Sequence, residues 1–250
     1  MNKNISWHKK WLASLLTAGL ACAFLVNNAV AQDSDGWEFR ITPYIFMMAL
    51  EGETAVLGQN VPVDATFGDI WDRLNIALAA NFEANNGDWF FILDATYAEL
   101  ELNVEPNPVI SATIDIDIVM TDALIGKVLG EHFDIYAGLR YYDQDITVIP
   151  SMLPSIGLGD DWTDYVIGVR AHADVSDKWT FTGRLDSMFA GDSESNWFGQ
   201  LIFSRRFGSS MHLDLGYRWL LSDHESGTGL TRFLWDVDQT GPIAGYSWNF

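Results

Sequence analysis

Apolar and polar residues alternate along several stretches of the chain, which is the pattern of a β-strand with one apolar face. In residues 133–149, Ile135 and Leu139 fall on one face and Arg140 falls on the other. The same alternation recurs in three later segments. These segments therefore predict strands that are apolar on one side and polar on the other.

Four short turn sequences punctuate this pattern, at residues 85–88, 129–132, 175–178 and 207–210. The connections between them are longer and mostly polar or irregular, at 51–74, 104–111, 150–161, 191–195 and 223–230. Ten strands result, with eight or twelve as alternatives: 37–50, 75–84, 89–103, 112–128, 133–149, 162–174, 179–190, 196–206, 211–222 and 231–250. Short connections at one end and long ones at the other predict an all-β, antiparallel up-and-down transmembrane β-barrel, with periplasmic turns and extracellular loops.

A soluble β-sandwich also alternates, so the residue types on each face matter. The polar face carries Arg, Asp, His, Gly and Thr with hardly any Lys, which favours a paired network inside a barrel. Aromatic residues fall near both ends of the strands, as expected for two membrane-interface bands: Trp89, Phe133, Trp179, Tyr97, Tyr141, Tyr165, Phe189, Trp197 and Trp219. The sequence therefore favours the membrane barrel.

The first 31 residues have the features of a secretory signal peptide. Three lysines precede an apolar run from Trp11 to Val26, and Ala29-Val30-Ala31 forms a small-residue cleavage site. A retained membrane anchor and a lipoprotein acylated at Cys22 are the alternatives. We expect cleavage near Ala31, which leaves residues 32–250 as the barrel domain.

Charge and motif content exclude several classes of function. The chain has a formal net charge of −20, so nucleic acids are unfavourable partners. It contains no zinc-ligand spacing, phosphate loop or dinucleotide fingerprint, so we expect no metal and no cofactor. The predicted protein is a monomer surrounded by outer-membrane lipids and lipopolysaccharide.

The final strand alternates to the last residue, with Tyr246, Trp248 and Phe250 on one parity. Together with the leader and the alternating strands, this segment resembles the small OmpA-like barrels of Gram-negative outer membranes. The resemblance implies an outer-membrane location. It also implies that these three residues form the signal recognised by the barrel-assembly machinery.

The polar faces of the predicted strands supply a candidate lumen network: Glu83, Asp94, Arg140, Asp164, Arg170, His172, Arg184, Asp186, His212, Asp214 and Arg218. Such a network either fills the barrel as a structural element or selects a small solute. Eight-stranded barrels are filled by side chains and sixteen-stranded ones leave a channel, so ten strands favour filling. A third possible role is binding of a partner at the outer loops.

An enzymatic alternative comes from His224 and Ser226, which resemble part of the triad of lipid A deacylase barrels. The resemblance implies Ser226 as nucleophile, His224 as base, and Asp236 or Asp238 as the orienting acid. The sequence departs from that family, because the acid is Asp rather than Glu, Gly227 follows the serine, and the motif falls in a predicted loop. We therefore expect no enzymatic activity.

One further segment in the first long connection has helical periodicity. Phe67, Ile70, Trp71 and Leu74 share one face of a short predicted helix. Such a helix serves either as a cap on the barrel or as a segment lying on the outer leaflet.

Overall fold

The computed structural model describes residues 36–250 except 57, 73, 108–109 and 151–154. The predicted signal peptide, including Cys22, lies outside the described residues. Glu38 to Phe250 form one compact unit. No helix among the described residues is long and apolar enough to cross a membrane.

The described chain forms twelve strands and one short α-helix. In chain order they are β1 (Glu38–Phe46), β2 (Ala49–Val56), β3 (Gln59–Ala65), α1 (Phe67–Trp71), β4 (Leu74–Asn85), β5 (Trp89–Asn107), β6 (Ile110–Val128), β7 (Phe133–Pro150), β8 (Ile156–Ser176), β9 (Trp179–Gly191), β10 (Ser195–Phe207), β11 (Met211–Ser226) and β12 (Phe233–Asn249).

Ten of these strands close into an antiparallel barrel, which confirms the predicted fold and strand number. β4 to β12 pair in sequence order, and β1 pairs with both β4 and β12. The closure reaches the last residue, because the backbones of Phe39 and Phe250 exchange two hydrogen bonds of 3.0 Å. β2 pairs with residues 235–240 of β12, and β3 pairs with β2 as an additional strand.

The four predicted short turns all lie at one end of the barrel, where the strands before and after each of them are joined. We call this the short-turn end and the opposite one the far end. Gly87 has φ +85° in the first of these turns, a conformation that a side chain would strain.

At the far end, three predicted loops are wrong over much of their length, because the strands continue into them. In the predicted loop 150–161, β8 already begins at Ile156, which pairs with Val148 of β7. β5 and β6 still pair at Val104 and Ala112, and β11 and β12 still pair at Glu225 and Leu234. Continued cross-strand hydrogen bonding satisfies the backbone polar groups of these polar sequences. His224 and Ser226 are consequently strand residues.

The first long connection holds β2, β3 and α1. Thr66 and Asp69 form a reciprocal capping box that starts α1, in agreement with the predicted helix. The helix is shorter than predicted, because Leu74 already begins β4.

The pairing of β1 with β4 ends at Pro43, opposite Ala80, where the proline has no backbone N–H to donate.

The faces of the strands follow the predicted alternation. Outward-facing Ile135, Ile167 and Leu185 are exposed, whereas inward-facing Arg140 and Arg184 are buried. This confirms the apolar exterior. It confirms the polar interior only for the half of the lumen nearer the short-turn end, because apolar side chains fill the other half.

Candidate functional site in the barrel lumen

Charged side chains meet in the middle of the lumen around Arg140. This residue is fully buried, and its Nε donates to Asp122 Oδ1 at 2.7 Å. Its Nη2 lies 3.1 Å from Asp186 Oδ1, and its Nη1 donates to Asn196 Oδ1 at 2.9 Å. Burial of an ion pair costs desolvation energy, so these added hydrogen bonds are needed to hold the guanidinium in place.

Two further arginines extend the network across the lumen. Arg218 Nη1 donates to the Tyr44 hydroxyl at 2.9 Å, and its Nη2 lies 3.6 Å from Asp94 Oδ2. Arg184 Nη2 is 3.6 Å from Asp122 and 3.8 Å from Asp186. We call Arg140, Arg184, Arg218, Asp94, Asp122 and Asp186 the charged layer.

One ring contacts all three arginines of the charged layer. The Phe198 centroid lies 4.7 Å from the guanidinium carbon of Arg140, 4.8 Å from that of Arg184 and 5.4 Å from that of Arg218. An aromatic face attracts cations most strongly where water is excluded. Phe198 is almost fully buried and therefore stabilises the charged layer. It also packs with the apolar side chains on the far-end side of that layer.

An apolar cluster fills the lumen on the far-end side of the charged layer. Its buried members are Met48, Leu50, Ile70, Ala98, Leu100, Ile118, Met120, Tyr142, Trp162, Phe198, Leu220, Phe233, Trp235 and Val237. We call this the aromatic layer, because its large rings stack: Tyr142 on Trp162 at 4.7 Å, and Trp162 on His224 at 4.3 Å.

The two layers are built from neighbouring inward positions of the same strands. Met120 precedes Asp122 on β6, and Tyr142 follows Arg140 on β7, each by one inward step. Leu220 likewise follows Arg218 on β11. On each strand the charged residue lies nearer the short-turn end, so two successive layers of buried side chains cross the lumen.

Helix α1 contributes to the aromatic layer rather than lying on the barrel exterior. Ile70 is buried in the cluster with Met48 and Leu50, whereas Trp71 is exposed. This position agrees with the predicted cap more than with a helix lying on a membrane.

A half-enclosed cavity of about 280 Å³ lies on the other side of the charged layer, towards the short-turn end. We call it the cup. Its ionisable lining residues are Arg40, Arg170, Arg184, Arg218, His172, Glu83, Asp94 and Asp214.

Pairs of opposite charge form the wall of the cup. Arg40 Nη2 lies 2.6 Å from Asp214 Oδ2. Arg170 bridges Glu83 and Asp134, with both distances at 2.7 Å. Its guanidinium also stacks 3.8 Å above the Phe90 ring. Gly126 allows this arrangement, since a Cβ at that position would lie 2.0 Å from the Phe90 ring.

The structure places all eleven predicted lumen residues on the inner face. Arg140, Asp164, Arg170, Arg184, Asp186, Asp94, Asp214 and Arg218 are buried, whereas Glu83, His172 and His212 are partly exposed near the short-turn end. Asp164 lies apart from the charged layer and accepts hydrogen bonds from Ser193 and Asn196.

Sequence reasoning missed Asp122, Asp134, Arg40 and Tyr44, which complete the pairs. Asp122 and Asp134 belong to strands already predicted, and each has inward parity, so parity alone was a usable signal. Asp122 is hard to recognise in the sequence because its inward neighbours Met120 and Leu124 are apolar, so the inward and outward faces of β6 have similar hydrophobicity.

The predicted catalytic residues do not assemble as a triad. His224 points inward, whereas Asp236 and Asp238 are exposed on the opposite face. His224 Nδ1 contacts the Asp192 carbonyl at 3.0 Å, and its Nε2 contacts Asp160 Oδ2 at 2.9 Å. Both ring nitrogens therefore contact groups other than Ser226.

Asp160 is the carboxylate that contacts both His224 and Ser226. Burial works to raise the pKa of Asp160, but hydrogen bonds from His224 and Ser226 outweigh it and hold that pKa below its ordinary value. Ser226 therefore bonds the acid directly, an arrangement that differs from a serine activated by a histidine base.

The predicted assembly residues lie on the exterior near the short-turn end. Tyr246, Trp248 and Phe250 are all exposed, and the Phe250 ring stacks on Phe39 at 5.8 Å between centroids. Exposed aromatic residues also occur towards the far end, among them Tyr165 and Phe189.

No family model and no curated protein matches this chain. Among solved structures, it is similar to the translocator domain of autotransporter NalP from Neisseria meningitidis, with TM-score 0.50 and 11% identity over 95% of this chain and 98% of that one. It is also similar to the outer membrane protease OmpT from Escherichia coli, with TM-score 0.56 and 8% identity over 88% and 99%. At these identities the likeness is one of fold: the chain has the closed antiparallel barrel fold of bacterial outer-membrane proteins.

Proposed function

We propose that this protein is an integral outer-membrane barrel with a structural role, whose lumen is closed to solutes. The observation that carries the proposal is the pair of layers across the lumen. The charged layer and the aromatic layer consist of buried side chains contributed by strands from around the barrel. A solute crossing the barrel would have to displace both ion pairs and packed rings.

The exterior supports a membrane location. Apolar side chains such as Leu139, Val169 and Leu215 are exposed on the outer face, which would be costly in water and is favourable in lipid. The partners that we propose are therefore outer-membrane lipids and lipopolysaccharide around a monomer. The small OmpA-like subtype stays a prediction.

Solute passage is the alternative role, and a liposome-swelling assay separates the two. Liposomes containing the purified barrel should swell in small sugars and amino acids no faster than protein-free liposomes, with a general porin as positive control. Swelling that increases with the amount of barrel would contradict a closed lumen.

Assembly by the barrel-assembly machinery is tested at the last residue. Phe250→Ala keeps the backbone bonds to Phe39 but removes the exposed ring. We expect less folded protein in the outer membrane, measured by heat-modifiable migration of membrane fractions. Ser209→Ala, in an exposed turn at the same end, is the control. Wild-type levels of Phe250→Ala would exclude an aromatic assembly signal.

A further inference from the structure

An open depression of about 390 Å³ lies on the exterior of the barrel, where β8, β9 and β10 reach the short-turn end. We call it the exterior depression. Its floor and walls are formed by Ser176, Asp177, Lys178, Trp179 and Arg205. Arg205 and Trp179 are directly paired positions of β10 and β9, so their side chains leave the sheet on the same face.

The two cations of the exterior depression have no carboxylate partner. Lys127, on the exterior at the same end of the barrel, lies 3.8 Å from Asp88. In the part of the chain that the structure describes, neither Arg205 nor Lys178 forms such an ion pair, although both are exposed. Asp177 supplies the single carboxylate of the described lining, so the depression keeps a positive charge.

Arg205 lies among aromatic side chains of the exterior. Its guanidinium carbon is 5.8 Å from the Trp179 ring centroid and 5.0 Å from that of Phe207. Outward-facing aromatic residues near the end of a transmembrane barrel lie at the depth of the lipid headgroups. Arg205 is therefore placed where the phosphates of the surrounding leaflet would be.

Apolar side chains continue from this cation towards the middle of the barrel wall. Phe203 is the next outward position of β10, and its ring lies 5.2 Å from that of Phe181 on β9. Leu201 follows Phe203 and is exposed as well. A cationic depression thus adjoins an apolar strip, and these are the two surfaces that a phospholipid needs for its headgroup and its acyl chain.

We propose that the exterior depression binds an anionic phospholipid of the leaflet at the short-turn end. Arg205 and Lys178 contact the phosphate, and an acyl chain lies along Phe181 and Phe203. The guanidinium suits this role because it donates two parallel hydrogen bonds to phosphate oxygens. The inference rests on the proposed membrane location and adds to it the class of lipid and the residues that select it.

The test is native mass spectrometry of the purified barrel in a neutral detergent. Phosphatidylglycerol and phosphatidylcholine with identical acyl chains are titrated separately. A cation near an anionic headgroup contributes about fivefold in affinity, so wild type should bind phosphatidylglycerol at least about tenfold more tightly than phosphatidylcholine. Arg205→Gln should lose about fivefold of this preference, and the double variant with Lys178→Gln should lose most of it. Arg205→Lys should keep more of it than Arg205→Gln, because the charge remains.

Lys127→Gln is the matched control, because it removes a cation that also lies over a tryptophan ring, 4.9 Å from the Trp89 centroid, at the same end of the barrel. It should bind phosphatidylglycerol like wild type. The inference is overturned if wild type binds both lipids equally, or if Arg205→Gln binds phosphatidylglycerol as tightly as Lys127→Gln.

Insertion of the wild-type barrel into phosphatidylcholine vesicles, measured by heat-modifiable migration, separates this inference from the proposed function. Insertion without a preference for phosphatidylglycerol overturns the lipid site alone, whereas failure to insert contradicts the membrane location and the lipid site with it. Phosphatidylcholine has no net charge, so in these vesicles Arg205→Gln should be as stable as wild type.

Discussion

The charged layer and the aromatic layer occupy neighbouring levels of one lumen but close it by different physics. Arg140 and Tyr142 are adjacent inward positions of β7, yet the first is held by carboxylates and the second by ring stacking. The charged layer depends on matched pairs, so losing one member leaves another unpaired. The aromatic layer depends on filled volume, so losing one member leaves a cavity.

Breaking the charged layer should have the largest effect. Arg140→Met removes the partner of Asp122 and Asp186, which leaves two buried carboxylates without their closest cation. We expect a loss of about 4 kcal/mol in the free energy of unfolding, measured by urea titration in phosphatidylcholine vesicles. Arg205→Met, on the outer face, should change it little. Equal stability of Arg140→Met and wild type would mean that the charged layer does not hold the lumen together.

Opening a cavity in the aromatic layer should cost somewhat less. Leu220 is fully buried one inward step from Arg218, so Leu220→Ala removes packing without touching a charge. The expected loss is about 3 kcal/mol in the same urea titration. Leu215→Ala is the control on the exposed face of the same strand. A similar loss at both leucines would show that the interior is no better packed than the lipid-facing surface.

Phe198 belongs to both layers and therefore measures how they are coupled. Phe198→Leu keeps an apolar side chain but removes the ring face that three guanidiniums share. We expect a loss of about 2 kcal/mol in unfolding free energy. Phe203→Leu, at an outward position of the same strand, should lose less. If the order is reversed, the arginine contacts of Phe198 contribute nothing to stability.

The smallest effect is expected at the edge of the aromatic layer, where Asp160 holds His224. Because the pKa of Asp160 is lowered in the folded protein, its contribution is present above the pKa of the unfolded chain and is lost as the pH falls through the folded-state pKa. Asp160→Asn should therefore be slightly less stable than wild type at neutral pH.

This difference should shrink as the pH falls below the ordinary aspartate pKa of 3.8. Thermal unfolding of both proteins across this pH range measures it, with the neighbouring exposed Asp161→Asn as control. A difference that stays constant down to acid pH would show that the carboxylate charge is not responsible.

The sequence was sufficient to predict what local periodicity determines. Alternation places Arg140, Arg170 and Arg184 inside, and turn chemistry locates all four short connections. The far end was mispredicted because polar residues that look like loops, such as those around Glu225, continue as paired strand.

Contacts between residues distant in the chain could not be predicted. Asp160, the partner of His224, lies 64 positions away, and nothing in the spacing of His224 and Ser226 indicates it. The register of the barrel strands determines which carboxylate pairs with each arginine. Asp122 contacts Arg140 because the two residues lie opposite each other on β6 and β7, and the sequence of either strand alone does not specify that register.

The closure of the lumen is the central claim, and single-channel recording in planar bilayers tests it most directly. The purified wild-type barrel, inserted in a membrane with a general porin as positive control, should give no stepwise ionic current at moderate voltage. Reproducible unitary steps from the folded wild-type barrel, altered by the Arg140→Met substitution, would contradict the account.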